Sequence, residues 1–195
     1  MPAPRALPNE VRIIGGQWKR TRLPVADKPG LRPTPDRVRE TLFNLLGQDL
    51  TGWHCLDAFA GTGALGLEAA SRGAVRVLLV EQDPALVAQL RVLQAKLAAT
   101  AVTVERGNGV SILRQQGPAS LDLVFLDPPF DAKVLETALA AAAPAIKADG
   151  WLYLEAPDAW DGRRLEPFGL ALHKHLRAGA VHAHLLHRSE PMPGP

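Results

Sequence analysis

Leu121-Asp122-Leu123-Val124-Phe125-Leu126-Asp127-Pro128-Pro129-Phe130 is the stretch on which the fold turns. Its first six residues are an apolar run of strand length, the pattern of a parallel strand covered on both faces. The tetrad that follows sits where the strand gives out, and open α/β sheets bind ligands outside the carboxyl ends of their strands. Pro128 and Pro129 hold their φ angles at about −65° and carry no N–H. The corner is stiff, and it presents two acceptors, the Asp127 carboxylate and the Pro128 carbonyl, beside the Phe130 ring. Aimed acceptors and a flat apolar wall suit a planar base carrying an exocyclic NH2 group. A Pro-rich turn closing a core strand is the simpler reading, and the rest of the chain decides between them.

Around this strand the pattern alternates. From His54 to Phe59 runs a strand, then a glycine loop and a helix to Ser71. Val75 to Glu81 reads as a strand, and Asp83 to Ala99 as a helix with Asp83-Pro84 as cap and first position. Val102 to Arg106 is the next strand, followed by a short helix from Val110. After Leu121–Leu126 come a helix from Ala132 to Ala148 and a strand from Trp151 to Glu155. Leu170–Leu176 and Val181–His187, joined by Arg177-Ala178-Gly179-Ala180, form an antiparallel hairpin. Alternating βα units predict an α/β fold, a mostly parallel sheet with helices on both faces.

The first 35 residues read differently, as a basic hairpin arm and linker ahead of a domain over 36–190 and a frayed tail over 191–195. Gly15-Gly16 between Val11–Ile14 and Gln17–Leu23 favours a tight hairpin turn. Residues 28–35 hold three prolines and read as a rigid linker. Thr34 or Asp36 is placed to cap a helix to Leu46, with Val38, Leu42, Leu45 and Leu46 as its buried stripe and Gly47 as its stop. Residues 1–40 carry nine Lys or Arg against four acids, so the remainder of a +2 chain is acidic by three. A basic arm on an acidic body points to a polyanion. Trp18 beside Lys19, Arg20 and Arg22 offers stacking and phosphate neutralisation, the usual way unpaired RNA is held. Arg12, Arg32, Arg37 and Arg39 complete the candidate clamp, the last two on polar sides of their helix.

Several classes are excluded by composition and length. No apolar stretch reaches the ~18 residues of a membrane span, and the N-terminus lacks a signal-peptide core. A single cysteine, Cys55, forms no internal disulfide and fits a reducing cytoplasm. His173, His175, His182, His184 and His187 alternate as if on one face of two strands, but no Cys or acid cluster completes a metal site. Trp151 and Trp160 read as packing residues, and Arg163-Arg164 as solvated.

Asp57-Ala58-Phe59-Ala60-Gly61-Thr62-Gly63-Ala64-Leu65-Gly66 joins a strand to its helix, with glycines that let backbone approach a ligand and helix N–H groups aimed at it. Glu81, ending the next strand, is placed to accept hydrogen bonds from a ribose diol. The spacing Gly61-x-Gly63-x-x-Gly66 with Glu81 twenty positions on also satisfies a dinucleotide fingerprint, so a nicotinamide enzyme is a rival. Against it, Asp57 would repel a pyrophosphate, no second domain is left for hydride chemistry, and the Asp127 tetrad has no role there.

With both motifs in view the chain resembles the RsmD family of class I, Rossmann-like S-adenosylmethionine-dependent methyltransferases. The resemblance rests on Arg12-Ile-Ile-Gly-Gly-Gln-Trp18, Gly30-Leu-Arg-Pro-Thr34, Asp36-Arg-Val-Arg-Glu-Thr-Leu-Phe43, Leu56 to Glu68 and Asp127-Pro-Pro-Phe130. It implies a seven-stranded sheet, and methyl transfer to N2 of a guanine in 16S rRNA of the small ribosomal subunit, free or assembled. The chain itself is expected to be a cytoplasmic monomer without a metal. It implies catalytic roles for Asp127, Pro128, Pro129 and Phe130. It implies donor contacts from Asp57, Phe59, Ala60, Gly61, Thr62 and Gly63, ribose contact from Glu81, and adenine packing by Gln82 and Asn108. Arg32 and Thr34 are alternatively placed to close over the donor's methionine end. A DNA or RNA adenine-N6 methyltransferase and a non-catalytic RNA-binding assembly factor stay open as alternatives.

Overall fold

The computed structural model of the chain describes residues 10–28, 31, 33–128 and 132–189. Arg32, Pro129, Phe130 and the tail over 191–195 lie outside the described residues. Two short strands come first, β1 (Glu10–Arg12) and β2 (Arg22–Pro24), then the helix α1 (Asp36–Leu46). The alternating part follows as β3 (His54–Asp57), α2 (Ala64–Ser71), β4 (Arg76–Glu81), α3 (Pro84–Lys96), β5 (Val102–Arg106), α4 (Gly109–Arg114), β6 (Leu121–Leu126) and α5 (Ala132–Ala142). It closes with β7 (Ile146–Ala156), α6 (Gly162–Leu165), a 3-10 turn, β8 (Leu170–Ala178) and β9 (Val181–Arg188).

The main sheet has seven strands in the order β5-β4-β3-β6-β7-β9-β8, parallel through β7 and antiparallel beyond it. Strands β3 and β6 are the buried centre, which is why β6 reads as an apolar run rather than an alternation. One core layer lies between the sheet and α1 to α3, and a second under α4 to α6. Asp83 caps α3 as its sequence predicts, accepting from the Ala85 and Leu86 amides at 2.8 and 3.1 Å.

Four local expectations give way. Neither Thr34 nor Asp36 caps α1; Pro35 occupies that position, and both side chains are engaged elsewhere. The helix expected to reach Ala148 stops at Ala142, two residues before Pro144, and β7 begins at Ile146 against Leu121. The histidines do not share a face. An irregularity between Leu172 and Lys174 and the odd spacing from His184 to His187 divide them. His173 and His187 meet Trp151, whereas His175 stacks on His182 and His184. His184 is wholly buried, accepts from the Trp160 amide at 3.0 Å, and is held low, to about 4, chiefly by burial.

The fourth correction concerns the arm. Gly15-Gly16 is not a two-residue hairpin turn; the loop between β1 and β2 spans residues 13–21 and docks on the end of α2. Gln17 N donates to Ser71 O at 2.8 Å and Trp18 N to Ser71 Oγ at 3.0 Å. A Cβ on Gly16, whose φ is +74°, would stand 1.8 Å from the Ser71 carbonyl oxygen, so only glycine permits the approach.

The anchor of this contact is Glu68 on α2, fully buried. Its oxygens accept from Ile14 N at 2.8 Å, Gly15 N at 2.7 Å, Arg72 Nε at 2.9 Å and Arg39 Nη1 at 3.4 Å. Arg39, also with 0% exposure, further donates to Asp36 at 2.6 Å and to the Thr34 carbonyl at 3.2 Å. It therefore lies inside, not on a polar helix side, and is unavailable as an RNA contact. Burying guanidinium and carboxylate is tolerable only because each is paired and hydrogen-bonded. Glu68→Ala leaves Arg39 and Arg72 with an uncompensated share of buried charge and should cost about 3–5 kcal/mol in denaturant unfolding. A loss under about 1 kcal/mol would show that the network is not what docks the arm.

Candidate active site

Parallel register puts the acids of the central strands on one rim. Asp57 at the end of β3 lies beside Phe125 of β6, which lies beside Tyr153 of β7. Side chains alternate along a strand, so Asp127 and Glu155, two positions beyond, project to that same face. Glu81 ends β4 next along the rim. Beneath them Phe43, Phe125 and Tyr153 form a ring ladder with centroids 6.3 and 6.2 Å apart.

The start of the glycine loop is tied to both neighbouring strands, with Ala58 N on Phe125 O at 3.1 Å and Ala60 N on Val80 O at 2.9 Å. Gly66 N, in the first turn of α2, donates to Asp57 Oδ2 at 3.1 Å. A Cβ on Gly66 would stand 2.2 Å from Leu79 Cδ2, so a side chain there would push the helix off the sheet and off Asp57. Asp57 is 1% exposed, and its other oxygen, Oδ1, is buried with no hydrogen-bond partner among the described residues. A buried carboxylate oxygen left unpaired is costly and marks a place for a donor. Burial first, then repulsion from Glu81 and Glu155, pushes Asp57 up to about 7 despite its amide bonds.

Asp127 is likewise held well above the usual carboxylate range, by loss of water first and then by Glu155 and Asp57. Pro128 behind it is buried. Glu155, 3% exposed, was not singled out from sequence, where it reads as the end of a strand. Its Oε1 accepts from Thr34 Oγ1 at 2.5 Å and Tyr153 Oη at 2.8 Å, and burial raises its pKa against those two bonds. Its only signal in the chain is an acid two residues after Tyr153 in an apolar run.

Glu81 is half-buried and partly committed. Gly61 N reaches one oxygen at 2.9 Å, and Gln82 N and Asp83 N reach the other at 2.8 and 2.9 Å. An ionised carboxylate accepts about four bonds, so Glu81 retains capacity for a hydroxyl. Asn108 caps α4, its Oδ1 accepting from Ser111 N at 3.0 Å; like Gln82 it is exposed at the rim. Phe59 is half-buried, and Ala60, Thr62 and Gly63 are buried beneath the loop. The linker crosses over this rim. Lys28 pairs with Asp83, Leu31 lies against Gly61, and Thr34 binds Glu155.

The clamp residues divide by surroundings. Arg12 pairs with Asp36 at 2.8 Å and Arg22 with Glu10 at 3.1 Å, both exposed. Lys19, Arg20 and Arg37 are exposed and form no ion pair among the described residues, and Arg20 holds a left-handed φ of 73°. Trp18 is half-buried with its side chain on the core. Among the described residues no helix is long and apolar enough to cross a membrane.

Comparison with known proteins places this rim in context. The family described as conserved hypothetical protein 95 matches residues 11–187. Ribosomal RNA small subunit methyltransferase D of Escherichia coli (strain K12) is 44% identical over 184 residues, 92% of this chain and 90% of the relative. The protein of that name from Haemophilus influenzae is 40% identical over 151 residues, 75% of this chain and 78% of the relative. A solved Escherichia coli structure described as the methyltransferase yhhF has a TM-score of 0.77 at 40% identity, covering 93% of this chain and 99% of that one. At 20% identity and a TM-score of 0.65 a precorrin methyltransferase from Geobacter metallireducens shares the fold alone. The match reaches from the docked arm through the glycine loop and the Asp127 corner to β9, and the chain belongs to the RsmD family of methyltransferases.

Proposed function

We propose that the protein transfers a methyl group from S-adenosylmethionine to the exocyclic N2 of a guanine in 16S rRNA. The observation that carries this reading is a buried Asp57 oxygen, without a partner among the described residues, on the same rim as the dehydrated Asp127 carboxyl. The names of the relatives supply the class of RNA. Work on ribosomal RNA belongs in the cytoplasm, on a free or assembled small subunit. One chain supplies every residue of the rim, so a monomer suffices.

The residues present fit the donor. Asp57 Oδ1 would take its ammonium, Glu81 its ribose hydroxyls, and Gln82 with Asn108 the edge of its adenine, while Phe59 through Gly63 form the floor. The donor supplies a methyl on a sulfonium, and its positive charge suits a rim whose carboxyls are dehydrated and repel one another. Pairing with that cation favours their ionised forms, so binding should release protons.

Guanine N2 is a poor nucleophile because its lone pair is delocalised into the ring. The Asp127 carboxylate and the Pro128 carbonyl would each accept one N2 hydrogen, which turns the lone pair out of the ring plane and toward the sulfonium. The N–C bond forms as the S–C bond breaks, and the N2 proton passes to Asp127 or to water. Pro129 keeps the corner stiff and Phe130 stacks on the base, roles that rest on sequence position. Stacking contributes about 1–3 kcal/mol, against a few kcal/mol to extrude the base. Orientation of the reacting pair is worth more, ~7–11 kcal/mol.

The two acids should separate in a paired experiment. Asp127→Asn should lower single-turnover methylation of small-subunit rRNA by at least about 10³ with donor affinity within threefold of wild type. Asp57→Asn should lose donor affinity by about 100-fold or more in calorimetry. Wild-type donor affinity should rise with pH up to about 7, because Asp57 must be ionised to hold the ammonium, and fall again above about 8 as the free donor's amine loses its proton. The same raised pKa means that the folded state disfavours ionised Asp57. The cost is absent below pH 3.8, grows as pH rises to about 7, and is bounded by about 4 kcal/mol. Asp57→Asn should therefore be more stable than wild type at pH 8 by about 1–3 kcal/mol, with the gain shrinking toward pH 5. Retained turnover in Asp127→Asn, or intact donor binding in Asp57→Asn, contradicts these assignments.

For the candidate clamp, the cations without an ion pair among the described residues matter most. Replacing Lys19, Arg20 and Arg37 together by alanine should reduce the slope of log affinity for RNA against log salt by about 2, at roughly 0.7 per lost contact. An unchanged slope would remove these three cations from the RNA interface.

A further inference from the structure

Asp127 accounts for the N2 hydrogens, but a guanine edge has a further donor, N1–H, next to the amino group. Adenine and 2-aminopurine have a lone pair at that ring position instead. A site that holds the edge of guanine beside Asp127 must therefore either satisfy N1–H or leave it dehydrated and unpaired, which costs heavily.

Glu155 stands at the right place for that hydrogen. Leu126 faces Leu154 as the last pair of the parallel β6–β7 register, so Asp127, one residue past the end of β6, and Glu155 follow it with their backbones roughly one strand spacing, about 4.8 Å, apart. Glu155 is the charged group that acts most strongly on Asp127. Its carboxyl is fixed in orientation, because Thr34 and Tyr153 both donate to Oε1. The second oxygen, Oε2, makes no hydrogen bond among the described residues. A purely structural tie between the linker and β7 would need only one of the two oxygens, and glutamine would serve it equally well. Resting on the guanine-N2 reading above, we infer that Glu155 is a specificity-determining residue whose Oε2 accepts N1–H of the target base, so that Asp127 and Glu155 together read the edge that distinguishes guanine from adenine.

The distinction between tie and reader gives the test. In Glu155→Gln the amide oxygen can keep both hydroxyl bonds, while an NH2 group replaces the acceptor. Small-subunit rRNA carrying guanine or 2-aminopurine at the methylated position, both with a 2-amino group, is the probe, read by single-turnover methyl incorporation with a melting curve for each protein. Wild type should methylate the guanine substrate at least about 100-fold faster than the 2-aminopurine one. Glu155→Gln should slow guanine by a similar factor and erase or reverse the preference, with the change in kcat rather than in donor affinity. A guanine to 2-aminopurine ratio in Glu155→Gln within threefold of the wild-type ratio overturns the inference and returns Glu155 to a structural tie. Should that variant fail to fold, a wild-type ratio within threefold of one overturns it equally. Wild-type transfer to neither substrate, with transfer elsewhere in the RNA, defeats the guanine-N2 reading itself and is distinct from both results.

Discussion

Dehydration of acids on one edge of a parallel sheet is the constraint around which this molecule is arranged. Asp57, Asp127 and Glu155 end up on one rim because β3, β6 and β7 run in the same direction and in register. Each is deprived of water, and Glu155 raises the pKa of both aspartates. Such an arrangement opposes folding on its own account. It makes sense for a site that receives a cation.

A second buried acid, Glu68, has the opposite circumstances. It is fully paired, by two guanidiniums and two backbone amides. Through it the basic loop, α1 and the helix that opens from the glycine loop become one body. The same α1 segment begins next to Thr34, whose hydroxyl ends on Glu155. The arm is thus connected to the rim by a short chain of polar contacts. The linker between them spans the rim from Asp83 to Glu155 by way of Leu31.

Much of this was legible in the chain, and for identifiable reasons. The apolar run before Asp127 could be placed because a strand buried on both faces leaves no alternation to confuse it. Asp83-Pro84 announces its helix with a cap and a preset φ. The glycine loop was legible as a ligand loop but not as one of a given kind, since its spacing serves dinucleotide enzymes equally; the family match settles that it belongs to a methyltransferase. What failed were features set by distant partners. Arg39 looks like a surface cation until Glu68 is brought against it from 29 positions away. Gly15-Gly16 has a turn's composition, but its close approach is to Ser71, which local pattern cannot reveal. Ala138–Ala145 continues a helical composition past the point where Pro144 and the neighbouring strand stop it. Glu155 carries no local signal, because nothing nearby in sequence tells that Thr34, 121 positions earlier, lies on it.

The most direct test of the central claim is a crystal structure with S-adenosylmethionine and a guanosine-containing RNA fragment, or a nonreactive donor analogue in its place. The account predicts the donor ammonium on Asp57 Oδ1, and the guanine N2 about 3–3.5 Å from the methyl carbon with its hydrogens on Asp127 and Pro128. A donor whose methyl points away from Asp127, with protein packed between them, would contradict it.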